Sequence, residues 1–499
     1  MELQFQKNLC PCLRTVLQEV RNLEQTQEIR LTEGMPDVGK VLSAWGQTVV
    51  RSREWNGDSL CVNAGVMVWV LYAPEEGSEC RCVEGWIPLK IQWDLPEDCP
   101  QGRSRVRCLT RFVEARAVSA RKLLVRAGAA AQAEAFVSAQ AEIGVPQEIP
   151  EPVELLRRDY PLRLPREAGE REFLLEEELT VPASVPQIDR VLYYTLVPEL
   201  AEQRVLGDKV VFRGTGNLHI LYASPEGRLH SWDFPLTFSQ YGDLEASYSP
   251  DADMDILLAV TALELEMGEG RLRVRCGLTG QYRIFDVEML ELVEDAYCPG
   301  RDLEVHTEEL ELPVILETRE ERIAAEQSLA AEGSAAADVV FLPDFPRQRR
   351  TEEGVSMLLP GMFQVLYYDG AGALQSASAR WEGEYSLPAD QGCQVTAQPQ
   401  PLGAEPQILM GSGDMKLRGE LPLHVTTAAP RGIPMVTGLT LGQDREPDPQ
   451  RPSLILRRAG ERGLWDIAKA SGSTVEAIRQ ANHLQQDPSP GQMLLIPIL

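Results

Sequence analysis

Along most of the chain, apolar side chains alternate with polar ones or gather in short β-branched runs interrupted by Gly, Asp and Pro. Runs such as KVVFRGTGNLHILY and RLRVRCGLTGQYRIF read as half-buried strands, so the predicted class is mainly β. Two stretches depart from that pattern. Leu9, Leu13, Val16, Leu17 and Val20 fall at helical spacing, and residues 1–24 are expected to form a short amphipathic helix. In the last stretch, Leu454, Ile455 and Leu456 read as a short strand and Leu464, Ile467 and Ala468 as the inner face of a helix. Val475, Ile478 and Ala481 give a second helix, with Ser473 and Glu476 as a capping box and Asn482 as a left-handed stop. Pro490-Gly491 then turns the chain into a closing strand from Met493 to Ile496, which makes a small α+β unit of order βααβ.

The β region repeats itself. A strand ending in Leu-Tyr and followed by a Gly-containing turn occurs at Leu71-Tyr72, Leu221-Tyr222 and Leu366-Tyr367, spaced by about 150 and then about 145 positions. Neighbouring positions move with the marker. Gly57-Asp58 matches Gly207-Asp208, Gln203-Arg204 matches Gln348-Arg349, and Val125-Arg126 with Gly128 matches Val274-Arg275 with Gly277. Phe136 matches Phe285, while Trp86, Trp232 and Trp381 follow the marker at similar distances. Alanine content alone makes residues 127–139 look helical, but they occupy the repeat position of residues 276–288, whose pattern is that of a strand, and the repeat decides. The expected organisation is three β-rich repeats over 25–165, 170–318 and a divergent 322–440, joined by charged, Pro-containing stretches such as RRDYPLRLPREAGERE. A polar linker over 441–452 and the βααβ module over 453–499 follow.

Composition narrows the function. With 499 residues, 43% hydrophobic and 25% charged, the balance is globular. The 75 Asp and Glu against 48 Lys and Arg give a net charge of -27, which repels phosphate backbones, so nucleic acid is not an expected partner. The start carries no apolar run of the length secretion needs, and no later window resembles a transmembrane segment, so the expected location is cytoplasmic. The ten cysteines are then expected to be free thiols.

The Leu-Tyr strand, its turn and the Pro-containing strands WIPLKI and WDFPLTF resemble the SPOCS domain of spore-forming Firmicutes. The terminal unit is similar to the LysM family through Leu464-Trp465-x-Ile467-Ala468, the Val475/Ile478 helix, Asn482-x-Leu484 and Pro490-Gly491-x-x-Leu494-x-Ile496-Pro497. Repeated SPOCS units followed by a LysM resemble the SpoIVA-interacting protein family of clostridial spore coat assembly. That resemblance implies a non-enzymatic, cofactor-free scaffold whose LysM module binds a SpoIVA-like morphogenetic ATPase. It also implies action in the mother-cell cytoplasm, with recruitment to the forespore surface and the spore coat. The alternative is a wall or cortex protein whose LysM grips peptidoglycan through N-acetylglucosamine.

In the LysM family, binding takes place in a groove between two loops. Carried over, the groove comprises Gly460, Glu461, Arg462, Gly463, Leu464 and Trp465 on one side and Asn482, His483 and Leu484 on the other, with Pro490 and Gly491 at its edge. The family's Gly-Asp-Thr-Leu-Trp is here Gly460-Glu461-Arg462-Gly463-Leu464-Trp465, one residue longer and without the Thr, which counts against sugar binding. Trp465 is expected either to pack at the helix start or to stand exposed as an anchor for a partner.

Chemistry-bearing motifs fail on inspection. Gly34, Gly39 and Lys40 have phosphate-loop spacing, but Val41 replaces the Ser or Thr that binds magnesium, and the repeat puts Asp189-Arg190 where Gly39-Lys40 stands. Cys10-x-Cys12 and Cys80-x-Cys82 are too tightly spaced for a structural zinc site. Histidines 219, 230, 306, 424 and 483 are scattered singly. No catalytic residue, metal or cofactor is expected.

Overall fold

A computed structural model describes every residue except 1, 4, 78, 147–148, 150–151, 269–270, 390–392, 400–405, 412, 445–451, 460–462 and 490. The chain is mainly β, with two short helices near the carboxyl terminus. One strand order recurs three times. The first copy contains β1 (Glu2–Leu3), β2 (Phe5–Arg30), β3 (Val38–Asn56), β4 (Ser59–Pro74), β5 (Arg81–Asp94), β6 (Arg103–Ser119) and β7 (Lys122–Pro146). Strands β2 to β7 form two antiparallel three-stranded sheets, ordered β2-β7-β6 and β3-β4-β5, while β1 pairs with the later strand Met415–Asp444. The second copy, β8 (Glu154–Thr180), β9 (Arg190–Leu206), β10 (Lys209–Ala223), β11 (Leu229–Asp243), β12 (Asp253–Gly268) and β13 (Arg271–Tyr297), gives β8-β13-β12 and β9-β10-β11. The third opens with β14 (Arg301–Leu329), β15 (Ala335–Pro343), β16 (Arg347–Arg350), β17 (Val355–Tyr368) and β18 (Leu374–Leu387), and closes with β19 (Gln394–Pro399), β20 (Gln407–Met410) and β21 (Met415–Asp444). There β15 and β16 together take the place of β9, and β19 and β20 that of β12.

Local chemistry explains the repetition. Gly57-Asp58 and Gly207-Asp208 are the two-residue hairpin turns between β3 and β4 and between β9 and β10, with Gly57 at φ 57° and Gly207 at φ 62°, values a Cβ would strain. In both copies the Asp carbonyl of that turn accepts a further backbone bond, from Leu95 to Asp58 and from Leu244 to Asp208. Tyr72, Tyr222 and Tyr367 lie near the ends of β4, β10 and β17, and Trp86, Trp232 and Trp381 lie in the strands that follow. The tryptophans do not share a register: Trp86 pairs with Met67, Trp232 with Ile220 and Trp381 with Gly361.

Two expectations are corrected. Residues 5–30 form strand β2, paired along its length with β7 from Phe5 opposite Pro146 to Arg30 opposite Lys122, so the expected helix over 1–24 is absent. Leu9, Leu13 and Leu17 are four apart, a spacing that satisfies the strand period of 2 as well as the helical one, and β7 supplies the backbone partners that decide. The segment RRDYPLRLPREAGERE is no linker but the middle of β8, and β14 likewise runs through the expected boundary near residue 320. Residues 127–139, Ala-rich as they are, lie in β7.

The three copies share their interior. Beyond the reach of β6, β12, β19 and β20, the long pairs β2/β7, β8/β13 and β14/β21 continue as two-stranded ribbons, the last joined by β1 at Leu439 and Thr440. The ribbons bury Cys12, Leu164, Leu292, Leu312 and Ile433 against one another. Next to this apolar bundle lies a buried polar knot. Arg105 pairs in register with Glu134, Asp255 with Arg283, and Gln398 with His424, one such pair from each copy. Arg105 donates to Glu134 Oε2 through Nε (3.0 Å) and Nη2 (2.7 Å) and to Asp255 Oδ2 (2.9 Å), and Gln398 Nε2 reaches Glu134 Oε1 at 3.4 Å.

Candidate functional site

The terminal module is built from the strand β22 (Leu454–Arg458), the helices α1 (Leu464–Ser471) and α2 (Val475–Asn482), and β23 (Met493–Pro497), in the order βααβ. β22 and β23 pair antiparallel, and Leu464, Ile467, Ala468, Ile478, Leu494 and Ile496 form the core beneath them. Gly463 is the N-cap of α1, and Gly472 ends that helix in the left-handed conformation at φ 62°. The cap of α2 is Thr474, whose Oγ1 accepts from Ala477 N at 3.1 Å. Ser473, the expected cap, is buried instead, and Glu476 accepts from Gln480 Nε2 at 2.9 Å.

Of the groove residues, Gly460, Glu461, Arg462 and Pro490 lie outside the described residues. Leu464 is core, Leu484 packs at the core's edge, and Gly463, His483 and Gly491 are exposed. His483, not Asn482, takes the left-handed stop, at φ 50°. Asn482 is freed for another role: its Oδ1 accepts from Leu495 N at 2.7 Å, and its Nδ2 donates to Leu495 O at 2.6 Å and Ile478 O at 2.8 Å, tying α2 to β23. Gly491, at φ 90°, donates to Ala459 O at 2.7 Å and so fixes the turn before β23.

Trp465 packs, but against another part of the chain. Its ring meets Tyr297 edge-on at 4.7 Å between centroids, and its Nε1–H donates to Asp295 Oδ2 at 2.9 Å. Lys469, one turn further along α1, donates to both Asp295 oxygens at 2.7 Å. Burial alone would raise the Asp295 pKa, but the Lys469 and Trp465 hydrogen bonds outweigh it and hold the carboxyl below its ordinary range. Burial, then Glu154 and Asp295, push the Tyr297 hydroxyl up. Asp295 and Tyr297 are at the end of β13, so the module is latched to the second copy. Nothing in the sequence pairs residues 295 and 465; only the fold brings them together.

The outer face of the module's ribbon is left bare. The register sets Leu454 opposite Pro497, Leu456 opposite Leu495 and Arg458 opposite Met493, all on the side away from the helices. Leu454 is 51%, Leu456 60%, Met493 48% and Leu495 38% exposed, a contiguous aliphatic stripe ending at Arg458.

Elsewhere, Gly34 sits in a turn at φ 91° while Gly39 and Lys40 belong to β3, so the phosphate-loop spacing leads into a strand and not a helix. All ten cysteines are free thiols. Among the described residues no group of three metal-ligating side chains is gathered, and no helix is long and apolar enough to cross a membrane.

Comparison with known families gives two matches. Residues 187–267, which span β9 to β12, match the family model described as SipL, SPOCS domain, and residues 464–497 match that of the LysM domain. Neither is a catalytic domain. No curated protein and no solved structure matches the chain.

Proposed function

We propose that this chain, which carries a SipL-type SPOCS domain and a C-terminal LysM domain, is a non-enzymatic scaffold of spore envelope morphogenesis. Its LysM module docks onto a SpoIVA-like morphogenetic ATPase, a partner that the SipL family name brings with it. The strand order shared by residues 2–146, 154–297 and 301–444 supports reading all three as SPOCS-like units that act in the mother-cell cytoplasm and at the forespore surface.

The observation that carries the docking is the bare stripe of Leu454, Leu456, Met493 and Leu495. A glycan presents hydroxyls and needs matching donors, whereas four aliphatic side chains ending at one guanidinium suit an apolar protein surface with an acidic rim. The groove flanked by Gly463, His483 and Gly491 offers a second contact beside it. Binding of the purified chain to the purified ATPase should fall at least about tenfold in Leu456→Asp and in Leu495→Asp, the loss expected when a desolvated aliphatic anchor worth about 1.4 kcal/mol or more is removed. Circular dichroism should show both variants folded, because neither side chain is buried. Undiminished binding to the ATPase, or retention of the wild-type chain on insoluble peptidoglycan in its place, would overturn this reading.

A further inference from the structure

Where β3, β9 and β15 approach β6 and β12, residues from all three copies line a half-open cavity of about 650 Å³, a size that holds a small organic ligand. Arg107 of β6 stands on its wall and is 9% exposed. Its guanidinium donates to the Pro399 carbonyl, and burial pushes its pKa down to about 10 with no acidic neighbour among the described residues to offset the shift. Thr110 also lines the cavity, and its Oγ1 is buried without a partner among the described residues. A buried charge and a buried hydroxyl with unmet hydrogen-bonding capacity both destabilise a fold, so their presence needs a cause other than stability.

The internal repeat supplies the control. β6 and β12 carry the same bulge, between Thr110 and Phe112 in one and between Val260 and Ala262 in the other, which aligns Arg107 with Leu257 and Thr110 with Val260. Leu257 and Val260 are buried. Leu257 and Val260 line the same cavity from the second copy, so the architecture is satisfied by apolar side chains at both positions, and the first copy places a guanidinium and a hydroxyl there instead. Asp233 and Asp338 border the same space, each with one oxygen on His219, at 2.8 Å from Nδ1 and 3.1 Å from Nε2, while the second Asp338 oxygen is buried without a partner among the described residues.

We propose that the cavity binds a small organic anion, a carboxylate on an apolar body. Arg107 receives the carboxylate, Thr110 donates a hydrogen bond to it, and Leu196, Leu258 and Phe341 cover the apolar part. This site is independent of the docking face on the terminal module. The test is isothermal titration of the full chain with octanoate and with its neutral twin 1-octanol. Octanoate should bind saturably, one per chain, at least about tenfold tighter than 1-octanol. Arg107→Leu, which copies the second copy's own residue, should abolish that preference while melting at the wild-type temperature or above it. Thr110→Val should weaken octanoate binding by a smaller factor. No saturable octanoate binding, equal affinity for the two compounds, or an unchanged preference in Arg107→Leu overturns the proposal. Should Arg107→Leu fail to fold, the contrast between octanoate and 1-octanol on the wild-type chain decides alone.

Discussion

Asp295 orients the terminal module through two kinds of bond, a neutral one from the Trp465 indole and a charged one from Lys469. Because its folded pKa is depressed, it contributes stability that is present above its unfolded pKa of about 3.9 and is lost as pH falls through the folded value. The latch should hold at neutral pH and loosen below about pH 4, and Asp295→Asn should flatten that dependence. With side-chain exposures of 44% for Lys469 and 30% for Asp295, solvent screening limits the ion pair to no more than about 1 kcal/mol. The Trp465 indole N–H resonance, assigned by its disappearance in Trp465→Phe, reports the contact directly. If its shift stays constant from pH 6 to pH 3, the latch does not exist in solution. At this scale the sequence supplied Trp465 with its alternatives but neither of its partners, because Asp295 and Tyr297 are ordinary residues of a long strand until the fold sets α1 upon them. Asn482 and His483 exchanged roles for a similar reason: both tolerate the left-handed conformation, and only the Leu495 backbone, distant in sequence, claims the Asn carboxamide.

Among the elements, those with local punctuation were legible. The Gly-Asp turns, the Leu-Tyr strand ends and the order of the βααβ module follow from residues within a few positions of one another. The long strands were not. β2, β8 and β14 run 26, 27 and 29 residues, far beyond the usual strand, and Pro and charge within them read as linker or helix. What holds them extended is β7, β13 and β21, each more than 80 residues away in sequence. For β2 this has a measurable consequence. β7 buries Ala127, Ala129, Ala131, Ala133 and Ala135 completely or nearly so, and without β2 it would present an unpaired edge along its whole length. Removal of residues 1–30 should therefore convert the chain to an aggregating form with a lowered melting temperature, whereas a detachable helix would leave the remainder unchanged. Amide exchange supplies the complementary measurement: residues 12–28 should be protected to nearly the same degree as β7, and exchange at the rate of a frayed terminus would contradict the pairing.

At the scale of the whole molecule, three copies meet at one buried polar knot, and Arg105 is its hub. The guanidinium is 1% exposed and serves two carboxylates from different copies, Glu134 of its own sheet and Asp255 of the second. Asp255 is further approached by Arg283 at 3.4 Å and by His424 of the third copy at 3.9 Å, and the attraction of Arg105 above all, with that of Arg283, outweighs the burial that would otherwise raise its pKa. Replacing Arg105 by Met keeps the volume but strands Glu134 and Asp255 in an apolar interior, a change that costs about 3–5 kcal/mol in comparable buried pairs. Arg126→Met breaks pairs of the same kind with Glu24 and Glu114, at exposures of 45% and above, and should cost less than about 1 kcal/mol. Urea denaturation of both variants separates the cases. Since the knot joins all three copies, the wild-type repeats should unfold in one transition and Arg105→Met should lower that midpoint, the sharpest contrast being with Arg105→Met combined with Glu134→Leu, Asp255→Leu and Arg283→Met. In that quadruple variant none of these four charges is left stranded, so stability should return toward the wild-type value even though every ion pair of the hub is gone. Equal midpoints for Arg105→Met and Arg126→Met would show that the copies are held together by their apolar ribbons alone.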